Sequence, residues 1–142
     1  VINVIELGII RKIEINNNSV TVSITPTYSG CPAMRQIEKD IVSLLKNKGL
    51  EEVKIETVFS PAWTTDWVTE EAKEKLKKYG ISPPEKSTSD KSYLSANGPK
   101  DVECPRCNSK DTKLISQFGS TPCKALYQCN TCLEPFDRFK CI

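Results

Sequence analysis

Two Cys-x-x-Cys turns near the carboxyl end constrain the fold of this chain more than any other feature of its sequence. They are Cys104-Pro105-Arg106-Cys107 and Cys129-Asn130-Thr131-Cys132, with residues 108–128 between them. Each turn can place two thiolates on one ion, and two turns complete a tetrahedral sulfur site of the kind that holds structural Zn²⁺. Because four thiolates leave no coordination position open, the predicted site is structural rather than catalytic. The same ligands could hold iron, as one ion or as a cluster.

Residues 104–142 are too few to build a self-supporting apolar core, so we expect them to fold around the metal as a β-rich zinc ribbon. The predicted strands cover residues 113–118, 125–128 and 136–141. Two more cysteines, Cys123 and Cys141, lie outside the turns. A hairpin centred on Cys132 would place them opposite each other, where they could form a redox-sensitive pair or part of a second thiolate site. Two small buried hydrophobic side chains are the alternative interpretation.

Histidine is absent from the sequence. That absence excludes Ser-His-Asp triads, Cys-His protease dyads, His-ligated zinc hydrolases and Glu-x-x-His di-iron sites in this chain. The six glycines lie too far apart for the loops that cradle nucleotide phosphates. These absences remove the corresponding hydrolytic, di-iron and nucleotide-dependent chemistry from this chain.

The net charge and the apolar runs of the sequence limit the classes of partner that this chain can bind. A net charge of +2 over 142 residues lacks the basic excess that binds a phosphate backbone tightly, so we expect partners other than nucleic acid. No apolar run approaches the roughly 20 residues that span a bilayer, so we expect no membrane association. Metal-type cysteine turns without a secretion signal favour the reducing cytoplasm.

The region before the cysteine turns has the pattern of a small α/β (α+β) domain. Val20, Val22 and Ile24 alternate with polar residues after an Asn-rich turn, which predicts a β-hairpin with one buried face. Helical apolar spacing and the strand alternation that follows it predict the remaining elements. The predicted elements are strands over 9–15 and 20–27, a helix over about 32–48, a strand over 53–59 and a helix from Thr69 to Gly80.

Residues 81–103 have no periodicity and contain Pro83-Pro84 with many serines and lysines, which is typical of a solvated linker. The predicted organisation is therefore an α/β domain over 1–80, a linker over 81–103 and the zinc ribbon over 104–142.

Cys31 is the single cysteine of the predicted α/β domain and stands just before Pro32, at the expected start of a helix. The helix N-terminus should stabilise a thiolate there. No histidine can act as its base, which argues against protease-like catalysis. Such a thiol could hold or pass a soft metal or form a mixed disulfide, and it could equally be a buried cysteine that fills space above the hairpin.

Trp63 and Trp67 flank Asp66 in the segment between the third strand and the second helix. Two large aromatic side chains around one loop can form a docking surface. They can also form a lid over the small core.

Several motifs resemble those of the MIP18-like (DUF59) family, which is linked to iron–sulfur protein assembly. The run from Thr27 to Pro32 is similar to its T-x-x-x-C-P signature, Leu7-Gly8-Ile9-Ile10 precedes the hairpin as in that family, and Ser60-Pro61-Ala62-Trp63 precedes a Glu-Glu-Ala segment. The combination of residues 24–34, 61–67 and the four-cysteine tail resembles, more narrowly, the D-subunit family of phenylacetyl-CoA epoxidase systems.

The resemblance implies a role in aerobic phenylacetate degradation as an accessory subunit that assists maturation or repair of the iron–sulfur and di-iron centres of its partners. Those partners would be a di-iron oxygenase and a reductase. A homodimer of this chain is a further possibility. In this interpretation Cys31 is the working thiol, Thr27 shapes its loop and Trp63 with Asp66 forms a partner surface. The implied metals are structural zinc and a transient iron ion or cluster.

Members of that family carry an N-terminal helix and an Asp-Pro-Glu segment before the position of Val1, so we expect this sequence to be a fragment that lacks the helix. Two other functions stay open: a zinc-ribbon module that binds nucleic acid or protein, and a thiol-redox enzyme that uses Cys31 or the Cys123/Cys141 pair.

Overall fold

In a computed structural model that describes residues 1–85 and 101–140, the chain forms two helices and two sheets. The elements are β1 Ile10–Asn16, β2 Ser19–Ile24, α1 Met34–Asn47, β3 Glu52–Thr57, α2 Glu70–Tyr79, β4 Ile81–Ser82, β5 Thr112–Ser116, β6 Lys124–Cys129 and β7 Pro135–Phe139. The first sheet has the strand order β1-β2-β3 and the second the order β4-β7-β6-β5. This arrangement confirms the predicted α+β class.

The first sheet begins with the predicted hairpin, in which β1 and β2 pair antiparallel across a turn at Asn17, whose φ is 51°. Strand β3 then pairs parallel to β2, and α1 provides the crossover between them. The alternating residues of β2 are buried, and the apolar stripe of α1 packs against them. One detail of the prediction is wrong: α1 begins at Met34 with Ala33 as its N-cap, so Pro32 lies two residues before the helix.

Helix α2 has the ends that its sequence predicts. The Thr69 hydroxyl accepts a hydrogen bond from the Ala72 N–H at 3.2 Å, which caps the first turn. Gly80 ends the helix in the left-handed conformation, with φ 91°. Between these caps, α2 buries Ala72 and Leu76. Neither helix of the described residues is long and apolar enough to cross a membrane.

The second sheet includes residues from the segment expected to be a linker. Ile81 and Ser82 form β4, which pairs parallel to β7. Val102 is 1% exposed and belongs to the apolar cluster that contains Tyr127 of β6 and Phe136 of β7. Residues 86–100 lie outside the described residues. The domain boundaries at residues 80 and 103 therefore stay a prediction.

A shared apolar cluster connects the second sheet to α2 and to the segment before that helix. Trp63, Ala72 and Leu76 come from the part of the chain before β4, whereas Ile81 and Phe139 belong to the second sheet. The rings of Trp63 and Phe139 meet edge to face, with centroids 6.2 Å apart. The second sheet is thus held against the Trp63 segment and α2 by buried hydrophobic contact.

Gly8 lies where the N-terminal segment passes the Trp67 backbone, with φ +73°. A Cβ at this position would lie 2.6 Å from the Trp67 Cβ and 2.8 Å from the Trp67 carbonyl oxygen. We expect Gly8→Ala to lower the free energy of unfolding by about 1–2 kcal/mol for the left-handed backbone and by about 1–3 kcal/mol more for the overlap.

Gly80→Ala is the matched control for this prediction. Gly80 also has a positive φ, but a Cβ there would meet nothing within 4 Å. Urea denaturation should therefore show a cost of only about 1–2 kcal/mol for Gly80→Ala. Equal losses for the two variants would contradict the close contact at Gly8.

Candidate metal centre and thiol loop

The four cysteines of the two Cys-x-x-Cys turns lie together at one end of the second sheet. Their Sγ atoms are all within 4.8 Å of one another. The Cys104 and Cys132 sulfurs are 3.7 Å apart, and those of Cys107 and Cys129 are 3.5 Å apart. Four sulfurs around one tetrahedral Zn²⁺, each at about 2.3 Å from it, would be separated by about 3.8 Å. The residues present therefore fit a structural four-thiolate metal ion.

The two turns have the same backbone form. In each, the N–H of the first cysteine donates to the carbonyl five residues later: Cys104 to Ser109 and Cys129 to Glu134. The residue after the second cysteine is left-handed in both, with φ 61° at Asn108 and 64° at Leu133. The first cysteine of each turn is buried and the second exposed. Such folded-back turns aim both thiols of a turn at a common point.

Polar contacts fix one turn against the other. The Asn130 side chain donates to the Asp111 carboxylate at 2.8 Å, and the Asn130 N–H donates to the Asp111 carbonyl at 2.9 Å. The hydroxyls of Ser109 and Thr131 are 2.8 Å apart. These bonds hold the two pairs of sulfurs in register.

Backbone donors favour the charged form of one ligand before any metal binds. The N–H of Cys132 is the main influence on the Cys129 sulfur, and burial opposes it more weakly. With the Thr131 N–H and the Cys107 thiol adding to the effect, the pKa of Cys129 is lowered to about 6. At neutral pH the metal-free turn therefore already offers a thiolate.

Cys31 lies in the loop between β2 and α1 and is half-buried. Its carbonyl accepts from the Met34 N–H at 3.3 Å, so the helix N-terminus lies three residues beyond the thiol rather than next to it. The side chain packs against the core of the first sheet. Thr27 is half-buried in the same loop.

Tyr28 is the neighbour of Cys31 that the sequence did not single out. Partial burial, followed by a hydrogen bond with the Cys31 thiol, raises the pKa of the Tyr28 hydroxyl. The charges of Cys31 and Cys123 add to the same effect. Tyr28 occupies an unspecified position of the T-x-x-x-C-P signature, so no sequence signal marked it.

The Trp63 side chain is 5% exposed, and its Nε1 donates to the Leu7 carbonyl at 2.8 Å. It is therefore part of the apolar cluster that also contains Leu76 and Phe139. Asp66 is exposed on a short 3₁₀ helix, where its N–H donates to the Thr64 hydroxyl at 3.2 Å. Trp67 is half-buried under the Arg11 guanidinium, which lies 3.4 Å from the ring centroid.

The register between β6 and β7 differs by one residue from the predicted one. Lys124 lies opposite Phe139, and the Lys140 N–H donates to the Cys123 carbonyl at 2.9 Å. The hairpin is not centred on Cys132, because the Cys129 N–H pairs with the Glu134 carbonyl around a left-handed Leu133. Cys141 lies outside the described residues, and Lys140 takes the place predicted for it opposite Cys123.

Known proteins resemble both parts of the chain. Residues 2–58 match the family described as iron–sulfur cluster assembly protein, and residues 88–140 match the PaaD zinc beta ribbon domain. A relative from Escherichia coli (strain K12), named as the D subunit of a 1,2-phenylacetyl-CoA epoxidase, is 45% identical over 142 residues, which cover 100% of this chain and 83% of that protein.

Two further proteins are similar to about half of the chain. An Fe–S protein maturation auxiliary factor from Porphyromonas gingivalis (strain ATCC BAA-308 / W83) is 37% identical over 73 residues, covering 50% of this chain and 70% of that protein. A solved DUF59 domain of unknown function from Bacillus anthracis has a TM-score of 0.50 and 26% identity, covering 53% of this chain and 74% of its own.

Proposed function

This chain belongs to the D-subunit family of 1,2-phenylacetyl-CoA epoxidases, and from that membership we propose that it helps to build or repair the metal centres of its partner subunits. An accessory role in the handling of iron–sulfur proteins is supported by the match of residues 2–58 to the iron–sulfur cluster assembly family. The proposed partners are the subunits that carry the di-iron centre and the iron–sulfur reductase centre. We place this work in the cytoplasm, where thiols stay reduced.

The observation that carries this proposal is the position of Cys31. Its thiol lies on a loop and is half-buried, in the half of the chain that matches iron–sulfur assembly proteins. A thiolate is a soft ligand that suits iron and iron–sulfur clusters. A single sulfur donor leaves the other coordination positions of an iron ion to the client, which allows the cargo to leave.

The four-cysteine ribbon has a different part in the proposal. Its four sulfurs surround one position, so a metal ion bound there has no open coordination position through which it could pass to a client. We assign it a structural zinc ion, held by Cys104, Cys107, Cys129 and Cys132. The zinc ribbon then serves to fold the second sheet, while the transfer of metal belongs to the Cys31 loop.

We expect Cys31→Ser to lower the iron content of the partner subunits several-fold when they are produced together with the variant. The serine hydroxyl is a hard, weak ligand for iron, whereas its size keeps the loop intact. Iron in the purified partners, measured beside epoxidation, gives the readout.

Ser29→Ala is the matched control, because Ser29 is exposed in the same loop. Both variants should keep one zinc per chain and the wild-type melting temperature. Full iron loading and epoxidation with Cys31→Ser would refute the proposal.

A further inference from the structure

We infer that β1 is a docking surface for β1 of a second copy of this chain, so that the three-stranded sheets of two chains join into one. In this arrangement the two β1 strands run antiparallel, with Ile13 of one copy opposite Ile13 of the other. The inference uses neither Cys31 nor the four-cysteine group, and it does not depend on the proposed function.

Strand β1 lies at the edge of the first sheet. Among the described residues it pairs with β2 on one side, and no strand pairs with it on the other. Residues 11–16 of this strand are all exposed. An edge strand presents a row of unpaired backbone N–H and C=O groups, to which a strand of another chain can add.

The hydrogen bonds of β2 show which of its backbone groups face β1. The Thr25 N–H donates to the Ile9 carbonyl at 2.8 Å, on the β1 side. The Ile24 carbonyl accepts from the Val58 N–H at 2.8 Å, on the β3 side. Since the backbone groups of successive residues point to alternate edges of a strand, the odd-numbered residues of β2 bond to β1.

This alternation determines which backbone groups of β1 point outward. The odd-numbered residues of β2 lie opposite Lys12, Glu14 and Asn16. The N–H and C=O groups of Ile13 and Ile15 therefore point away from β2. Two copies that place Ile13 opposite Ile13 can exchange both N–H···O bonds between these residues, as in a hydrogen-bonded pair of an antiparallel ladder.

The charges on β1 favour this register. Lys12 and Glu14 flank Ile13, and their side chains are exposed and form an ion pair at 2.7 Å. With Ile13 opposite itself, Lys12 of each copy lies opposite Glu14 of the other. An in-register parallel pairing would set Lys12 opposite Lys12, and a pairing of Ile13 with Ile15 would set Glu14 opposite Glu14. Like charges directly opposite each other are destabilising, so the antiparallel register centred on Ile13 is the favoured one.

This edge also has apolar surface left to bury. Ile13 lies opposite Val22, and its side chain therefore shares the face of the sheet on which α1 packs. Ile15 lies opposite Val20 on the same face. Ile13 and Ile15 are nevertheless 54% and 65% exposed. In the paired strands Ile15 of one copy lies diagonal to Ile13 of the other, so the isoleucines of both copies form one strip.

Strand β3, at the other edge of the sheet, differs in this last respect. It carries the same charge pattern, with Lys54 and Glu56 paired at 2.7 Å. Its apolar residues Val53 and Ile55 are half-buried and pack against the core of the first sheet. A second copy on β3 would therefore cover less exposed apolar surface than one on β1. This contrast makes β3 the matched control.

The test is sedimentation equilibrium of the whole chain over a range of concentrations. We expect a monomer–dimer equilibrium with a Kd between roughly 1 μM and 1 mM, since a single pair of strands is small for a stable interface. Ile13→Lys should raise this Kd by roughly tenfold or more, because two opposed ammonium groups replace an apolar pair.

Charge reversal tests the register. Lys12→Glu sets two carboxylates opposite each other and should raise the Kd, whereas adding Glu14→Lys to that variant restores opposite charges and should return the Kd to the wild-type value. Lys54→Glu, the same reversal on β3, should associate as the wild type does. A chain that stays monomeric at about 1 mM, or a dimer that Lys54→Glu weakens and Lys12→Glu does not, would overturn the inference.

Amide hydrogen exchange of the unsubstituted chain gives a second measurement, which requires no variant. The N–H of Ile13 should become more protected as the protein concentration rises, because it is bonded only in the dimer. The N–H of Glu14 faces β2 and should change little. Protection that rises with concentration at Ile55 instead of Ile13 would place the contact on β3 and would show that the inference is wrong.

Discussion

Cys104→Ser will produce a chain without bound zinc, whose second sheet is unfolded. Cys104 is fully buried and its sulfur belongs to the group of four. A structural Zn²⁺ in a small domain contributes an apparent binding free energy of about 10–16 kcal/mol, which is comparable to the whole stability of a folded domain, about 5–15 kcal/mol. Zinc analysis and amide hydrogen exchange across β5, β6 and β7 will show the loss.

The first sheet provides an internal reference for that experiment. Val20, Val22 and Ile24 pack with Ile9 and Met34 in a core of their own. Exchange protection in β2 should therefore survive, whereas α2, which shares its cluster with Phe139, should lose part of its protection. Cys31→Ser, the same substitution outside the group of four, should keep the zinc. A Cys104→Ser chain with a full equivalent of zinc and an unchanged melting temperature would contradict the structural role of the site.

Local sequence patterns were sufficient to predict the helices and the first hairpin. Thr69 and Gly80 bound α2 because a hydroxyl cap and a left-handed glycine act within a single helical turn. The alternation in β2 marks its buried face for the same local reason. Each Cys-x-x-Cys turn likewise has a geometry that its own few residues determine. The spacing of the two turns was therefore sufficient to predict the grouping of four sulfurs.

Features that depend on distant contacts were beyond the reach of those patterns. The register of β6 against β7 follows from the left-handed backbone at Leu133. A predicted pairing that centres the hairpin on Cys132 takes no account of that backbone conformation. The sequence that follows Ile81 is typical of a polar linker. The strand at Ile81 depends on pairing with β7, which lies far along the chain. The contact between the Trp63 and Phe139 rings depends on how distant segments pack, and no spacing along the chain encodes it.

Trp63→Ala should lower the free energy of unfolding by about 3–5 kcal/mol, the usual cost of deleting a buried aromatic side chain. Trp63 is 5% exposed and contributes both an edge-to-face contact with Phe139 and a hydrogen bond to the Leu7 carbonyl. Because this side chain connects the second sheet to the part of the chain before β4, its loss should also separate the unfolding of these two parts. Urea denaturation followed by circular dichroism and by zinc release should then show two transitions instead of one.

Two variants make the Trp63 result specific. Trp63→Phe keeps a ring against Phe139 but cannot donate to the Leu7 carbonyl, so it should lower the free energy of unfolding by about 1–3 kcal/mol, the range for a buried acceptor left unpaired. Phe59→Ala removes an aromatic ring that is 65% exposed and should cost about 0.5 kcal/mol or less. A Trp63→Ala protein that unfolds in one transition, at a denaturant concentration close to that of Phe59→Ala, would mean that the zinc ribbon is held to the first part of the chain by contacts other than this cluster.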